Sequence, residues 1–207
     1  MYKNELIAEL GLRALIKEDF INHRKDLTLP GFRALAVYRY GTWARSRRSY
    51  PVRACFSAIH LFLARFVRNY YGIELYYTAN IGRRLHIGHQ SGIVVHEYAT
   101  IGDDCVIRQG VTLGIGGLQR GETGREHAPM IGNRVDFGVG AVIIGKVTIG
   151  DDVNIGPNVV ILTDIKSNST VMASPPRVLS RSILARPDME PEICKSNLEC
   201  NSTSGGI

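Results

Sequence analysis

The sequence predicts an α+β chain, with a helical N-terminal part followed by a parallel β-helix. Three observations point there. An apolar residue recurs every six positions from Ile81 to Leu162, small residues stand beside many of these positions, and the residues ahead of the repeat carry helical patterning broken by Pro and Gly. The recurring residues are Ile81, Ile87, Val95, Ile101, Ile107 and Leu113, then, after a break, Ile131, Phe137, Ile143, Ile149, Ile155 and Ile161. A period of six fits neither the roughly 3.6 of a helix nor the 2 of a plain strand. It fits a solenoid of short strands that points one apolar residue inward per face. Twelve such hexads make about four coils. Gly102-Asp103-Asp104, Gly132-Asn133 and Gly150-Asp151-Asp152 supply corners. Gly takes positive φ there at little cost, and Asn and Asp tolerate it next best.

Taken in order, residues 1–27 read as polar helix, and Pro30-Gly31 breaks the pattern. Residues 32–45 read as a second helix with a weak point at Gly41. Phe32, Leu35, Ala36, Tyr38 and Trp43 share one side of it, and Arg33 and Arg39 lie outside or at an interface. Pro51 starts a further helix to about Asn69, apolar enough to be buried against a neighbour in this subunit or another. Two features interrupt the winding. Ile93-Val94 adds two residues after His89, and residues 115–130 form a Gly-rich, charged excursion carrying His127. A long loop inside a tight repeat is usually functional or disordered. The solenoid ends near Pro175-Pro176, where proline cannot continue strand pairing. The expected division is a helical domain over 1–75, a β-helix over 76–179 with loop 115–130, and a flexible tail over 180–207.

Composition excludes several classes. No apolar h-region stands near the start, and no run free of Lys, Arg, Asp and Glu exceeds 12 residues, so neither a secretory signal nor a transmembrane span is expected. Cys55, Cys105, Cys194 and Cys200 are scattered without a CxxC, which suits a reducing cytosol. Residues 1–75 hold 13 Lys/Arg against 6 Asp/Glu, and residues 76–207 hold 12 against 13. The positive charge therefore lies ahead of the repeat, densest at Arg45, Arg47, Arg48 and Arg53. No nucleic-acid module accompanies it. A solvated helical face or subunit contact explains it, and so does attraction to an anionic membrane or acidic polymer.

Residues 31–43 (G-F-R-A-L-A-V-Y-R-Y-G-T-W), 87–95 (I-G-H-Q-S-G-I-V-V), 101–114 (I-G-D-D-C-V-I-R-Q-G-V-T-L-G), 138–145 (G-V-G-A-V-I-I-G) and 175–177 (P-P-R) together resemble the serine O-acetyltransferases, hexapeptide acyltransferases with a left-handed β-helix. The resemblance covers roughly residues 15–178. It implies acetyl-CoA as co-substrate, no metal, and a homotrimer or dimer of trimers with coenzyme A between subunits. It places the general base at His89, since a neutral imidazole accepts a hydroxyl proton near pH 7. It makes Glu74 the carboxylate that orients His89, one methylene longer than the family's Asp, and makes His127 a second histidine contacting the acceptor. His86 and His96 are structural. For coenzyme A, Gly114, Gly138, Gly140 and Ala141 leave space along the groove and Arg177 meets phosphates, although plain corner-turning explains the glycines as well.

Two departures bear on the acceptor. Gly88 replaces the Asp that binds the amino group of serine, and Glu126 replaces the Arg that binds its carboxylate, with Arg125 one step earlier. Asp19 is a candidate replacement for the ammonium contact. These departures favour a sugar hydroxyl of a surface polysaccharide as the alternative acceptor. The ending Ser204-Gly205-Gly206-Ile207 favours serine, because a terminal Ile of this family enters the active site of cysteine synthase, a PLP enzyme. A solenoid that only binds a partner is the third reading, and His89, Glu74 and His127 together argue against it. The expected location is cytoplasmic, at or away from the membrane surface.

Overall fold

The computed structural model describes residues 5–117 and 124–175. Through residue 173 the described residues form one compact unit. Helices α1 (Glu5–Leu10) and α2 (Leu12–Asn22) are separated by Gly11, whose φ of 79° breaks the helix. Helix α3 (Pro30–Arg45) starts with proline at its first turn, where a missing N–H costs nothing. Helix α4 (Tyr50–Phe66) also has proline in its first turn and runs into a π-helical turn, Val67–Tyr71. Gly72 ends that turn in the left-handed region at φ 64°.

Three parallel sheets follow and wrap into a prism. Sheet A stacks β1 (Ile73–Leu75), β4 (Ile93–Val95), β7 (Thr112–Gly114), β10 (Val142–Ile144) and β13 (Val160–Ile161). Sheet B stacks β2 (Asn80–Ile81), β5 (Thr100–Ile101), β8 (Met130–Ile131) and β11 (Thr148–Ile149). Sheet C stacks β3 (His86–Ile87), β6 (Val106–Ile107), β9 (Asp136–Phe137), β12 (Asn154–Ile155) and β14 (Thr170–Val171). Two sheets hold five strands, so the solenoid has nearly five coils rather than four. β1 precedes the first hexad recognised in the sequence, and β14 follows the last. All twelve hexad residues from Ile81 to Ile161 are buried. Each face also buries the residue two positions earlier, among them Leu85, Ile93, Cys105, Val111, Val135 and Val153. The inward count per face is therefore two, not one.

The corners between sheets B and C use Asp104 and Asp152 of the expected triplets as left-handed residues, but Arg rather than Gly or Asn at the other two. The left-handed residues there are Arg84, Asp104, Arg134 and Asp152, with φ between 54° and 58°, two positions after the glycines. Gly102 is needed for stacking instead, since a Cβ there would lie 2.5 Å from the Gly132 carbonyl oxygen of the next coil. The preceding Asx residues form a ladder up the same edge. Asp103 Oδ1 accepts from Arg83 N–H, Asn133 Oδ1 from Asp103 N–H, and Asp151 Oδ1 from Asn133 N–H. Arg84 and Arg134 add bidentate pairs to Asp104 and Asp152 at 2.5–2.6 Å. The guanidiniums hold both carboxyls below the usual carboxylate range.

The helices are fastened to the first coil by buried polar groups. Arg39, expected outside or at an interface, is 1% exposed within the chain. Its Nε donates to Asp19 Oδ2 at 3.0 Å, and its two Nη groups donate to the carbonyls of Ile81 and Gly82 at 2.8 and 2.5 Å. Tyr38 donates its hydroxyl to Ala79 O at 2.7 Å and accepts from Ile81 N–H at 3.2 Å. From α2, Glu18 pairs with Arg83 and Asn22 donates to Arg84 O at 2.6 Å. The expected apolar side of α3 is correct for Phe32, Leu35 and Tyr38, whereas Ala36 and Trp43 are half-buried.

Gly41 lets α4 close on α3, because a Cβ there would overlap the His60 ring. His60 is buried, its ring nitrogens have no hydrogen-bond partner among the described residues, and Tyr77 meets it edge-on at 5.9 Å. Burial, with the nearby Arg45 guanidinium, pushes the His60 imidazole down from 6.5 to about 4. The unfolded chain therefore takes up this proton first as pH falls. Stability is intact above about 6.5 and declines toward about 4, by about 3 kcal/mol from this group. Urea unfolding at pH 7.5 and pH 4.5 measures that decline, and His60→Leu is expected to flatten it. An equal decline in the variant would assign the acid sensitivity elsewhere.

Candidate active site

His89 stands at the corner between β3 of sheet C and β4 of sheet A. The extra length of this coil lies in the corner itself. Val94 pairs with Thr112 and Ile87 with Ile107, so the strand positions are seven steps apart here and five in the next coil. The two added residues thus fall within 88–92 rather than at Ile93-Val94, and Ile93 is a core residue of β4. The longer corner lifts His89 outward. Ser91 adopts φ 88° and Gly92 φ 69° to return the chain. Ser91 N–H donates to Tyr71 O at 2.8 Å, and Ser91 O accepts from Gly110 N–H at 3.0 Å. A non-glycine residue held at positive φ is costly and is often found at functional sites.

The start of α3 walls this corner. A cavity of about 440 Å³ is lined by Leu29, Pro30 and Gly31 on one side and by Gly88, His89 and Gln109 on the other. Gly31 permits the approach, since a Cβ there would overlap the Ile87 carbonyl oxygen. His23, which caps the C-terminus of α2, fixes the same strand. It is buried, its Nδ1 donates to Asp19 O at 2.7 Å, and its Nε2 accepts from Ile87 N–H at 3.1 Å. Those two bonds specify the neutral tautomer, and burial pushes the His23 pKa down. His86 stacks on His23 at 4.8 Å, in keeping with a structural role. The His89 side chain is exposed to this cavity and has no hydrogen bond, ion pair or ring contact among the described residues.

Glu74 is not brought to His89. It lies on β1 and borders a cavity of about 280 Å³ between α3, α4 and β1. Arg68 stands 3.7 Å from its carboxylate, and Glu74, together with burial, raises the Tyr76 pKa. Among the described residues Glu74 and His89 share no hydrogen bond or ion pair.

His127 ends a 3-10 turn, Gly124–His127, in the excursion between β7 of sheet A and β8 of sheet B. Within one chain it therefore occupies a different corner from His89. Arg125 turns toward the Tyr98 ring, 5.8 Å from its centroid, and borders a cleft of about 610 Å³ with Glu5, Glu9 and Asp103. Glu126 is exposed. Asp19 is no ligand contact: it is wholly buried and its carboxylate answers Arg39. Burial raises the Asp19 pKa while the neighbouring guanidinium opposes that rise. Gly88 is not required by packing, since a Cβ at this position would meet nothing nearer than Ile107 O at 3.8 Å.

The residues expected at coenzyme A divide. Gly138 and Gly140 turn the sheet C to sheet A corner two coils beyond His89, on the same edge of the prism. Gly138 borders a groove of about 320 Å³ with Arg108, Val139 and Pro157. Both are also demanded by stacking: a Cβ at Gly138 would lie 2.5 Å from Gly156, and Gly140 has φ 68°. Ala141 turns its methyl group into the solenoid core, which leaves only its backbone to meet a ligand. Gly114 has room, with Ile144 Cγ1 the nearest atom at 3.7 Å. Arg177 and Ile207 lie outside the described residues. Gln109 is a site residue the sequence reading missed. It follows His89 by one coil, in the register that pairs Ile87 with Ile107, and its buried Oε1 has no partner among the described residues.

No protein-family model matches the chain. It is 41% identical over 155 residues to the serine acetyltransferase of Helicobacter pylori strain 26695, covering 75% of this chain and 84% of that protein. It is 39% identical over 156 residues to the serine acetyltransferase of Synechococcus elongatus, covering 75% of this chain and 59% of that one. Among solved structures, the serine acetyltransferase of Vibrio cholerae superposes with a TM-score of 0.67 at 27% identity, over 83% of this chain and 67% of that one. Native serine acetyltransferase 1 of Entamoeba histolytica gives 0.65 at 30% identity, over 81% and 65%. Helices ahead of a parallel solenoid, a raised histidine corner and this identity across most of both chains lead to one conclusion: the chain belongs to the serine acetyltransferase family.

Proposed function

We propose that this enzyme transfers the acetyl group of acetyl-CoA to the hydroxyl of L-serine, with His89 as general base. The observation that carries the reading is the His89 imidazole, lifted into a cavity and engaged by no other described side chain. Acetyl-CoA supplies an acyl group activated as a thioester. The residues present fit it: the His89 corner, Gln109 and the Gly138 groove follow one edge of the prism. His89 accepts the serine hydroxyl proton through a ring nitrogen as the oxygen attacks. Gln109 donates its amide N–H to polar atoms of the bound substrates. Glu74 steadies the imidazolium once it leaves Arg68 and Tyr76, and Arg177 meets nucleotide phosphates.

A threefold ring of copies accounts for the separate histidine corners. The sheet C to sheet A corner of one copy then faces the sheet A to sheet B corner of the next. His127 of one copy reaches the acceptor held by His89 of the other, with Gly114 beside it. A trimer is the minimal assembly, and a dimer of trimers extends it. We place the enzyme in the cytoplasm. Ile207 engages a cysteine-synthase-type PLP enzyme, and deletion of Ile207 is expected to abolish that binding in a pull-down.

Gly88 and Glu126 favour a second reading, in which the acceptor is a sugar hydroxyl. Free-thiol release on mixing enzyme, acetyl-CoA and L-serine tests the first. Release only with saccharide acceptors overturns it. Gly88→Asp, which the open space admits, adds an anion for the serine ammonium and is expected to lower KM for L-serine about tenfold or more. An unchanged KM would show that the ammonium does not bind at this corner.

A further inference from the structure

The outer face of α4 is apolar along its whole length. Val52, Cys55, Ile59, Phe62 and Phe66 are exposed at helical spacing, and Tyr70 extends the stripe into the π-helical turn. Phe62 and Tyr70 are each 73% exposed. The helix buries only His60 against its own chain. A groove of about 380 Å³ opens between Phe62, Phe66 and Tyr70, with Arg65 at its rim. Between Asp26 and Glu74 the sequence has eight arginines and no acidic residue. Arg48 and Arg65 are exposed and Arg53 half-exposed on or beside this helix. A second copy of the same face would bring arginines toward arginines, with no carboxylate from the face between them. A bilayer containing anionic lipid offers hydrocarbon to the stripe and phosphates to the guanidiniums. No described helix is long and apolar enough to cross a membrane, which leaves α4 lying in the interface plane.

We propose that α4 docks the enzyme on an anionic lipid bilayer, its Phe62–Phe66 stripe in the acyl boundary and its arginines among the headgroups. Co-sedimentation of the full chain with vesicles tests this, using phosphatidylcholine alone and phosphatidylcholine mixed with phosphatidylglycerol. Binding to the anionic vesicles is expected to exceed binding to the neutral ones about tenfold and to weaken as salt rises. Phe62→Ser with Phe66→Ser is expected to abolish pelleting while acetyl transfer is unchanged. Arg53→Gln with Arg65→Gln, a surface change without risk to folding, removes only the preference for anionic lipid. Wild-type protein left in the supernatant with both vesicles overturns the proposal. If the serine double variant then also lowers the sedimentation coefficient of the assembly, the stripe is a contact between copies. Equal binding to both vesicle types likewise overturns it, since charge would have no part.

Discussion

Replacing His89 with alanine is expected to lower kcat/KM for acetyl transfer by about 10²–10⁴-fold, the usual contribution of a positioned general base. Urea unfolding of the variant should superpose on wild type. The side chain is exposed and bonded to no described residue, so folding loses nothing with it. Its neighbour His23 behaves differently. His23 is buried and accepts the Ile87 N–H that leads into the His89 corner. His23→Ala leaves that N–H and the Asp19 carbonyl without their partner, so stability and activity fall together. Under the proposed function, the contrast separates the residue that takes the proton from one that holds it in place. Both are read from thiol release alongside a urea titration. Thiol release by His89→Ala at the wild-type rate would remove the imidazole from the chemistry.

The solenoid was legible because its code is local and redundant. An inward residue every six positions needs no knowledge of the rest of the chain, and each of the twelve is buried. The second inward residue of each face was less visible because several are small, such as Ala79, Ala99 and Cys105. The coil count fell short because β1 and β14 lie outside the regular hexads. Charge misled the reading of α3. An arginine is rarely buried without a partner, and the partner of Arg39 is Asp19, 20 positions away on another helix. The same bond explains why Asp19 looked available as a ligand contact and is not. His23 carries no local signal, since its acceptor role depends on Ile87, 64 residues away. Gln109 was within reach: the register advances by 20 at Ile87 and Ile107, and Gln109 follows Ile107 as His89 follows Ile87. The pairing of Glu74 with Arg68 and Tyr76 depends on side-chain geometry, which spacing from His89 does not encode.

Removing one partner of the Asp19–Arg39 pair is expected to cost about 3–5 kcal/mol of folding free energy. Both side chains are 1% exposed, so neither water nor salt compensates the partner left behind. The two deletions differ in what remains. Asp19→Ala leaves a guanidinium that cannot shed its proton. Arg39→Met leaves a carboxyl whose pKa burial already raises, so it can take up a proton, but it also strips donors from the carbonyls of Ile81 and Gly82. Asp19→Leu combined with Arg39→Met removes both charges and keeps apolar volume. That double variant is expected to regain a large part of the loss, giving a coupling energy of about 1–3 kcal/mol in the cycle. Urea unfolding at pH 7.5 supplies all four corners, and single variants within about 1 kcal/mol of wild type would contradict the argument. The effect extends to chemistry because the fastening is shared. Asp19 answers Arg39 with its carboxylate and His23 with its carbonyl, and His23 holds the strand that presents residue 89. Loosening α2 should therefore lower acetyl transfer even in the fraction of molecules that remain folded. Activity normalised to folded protein distinguishes that loss from simple unfolding.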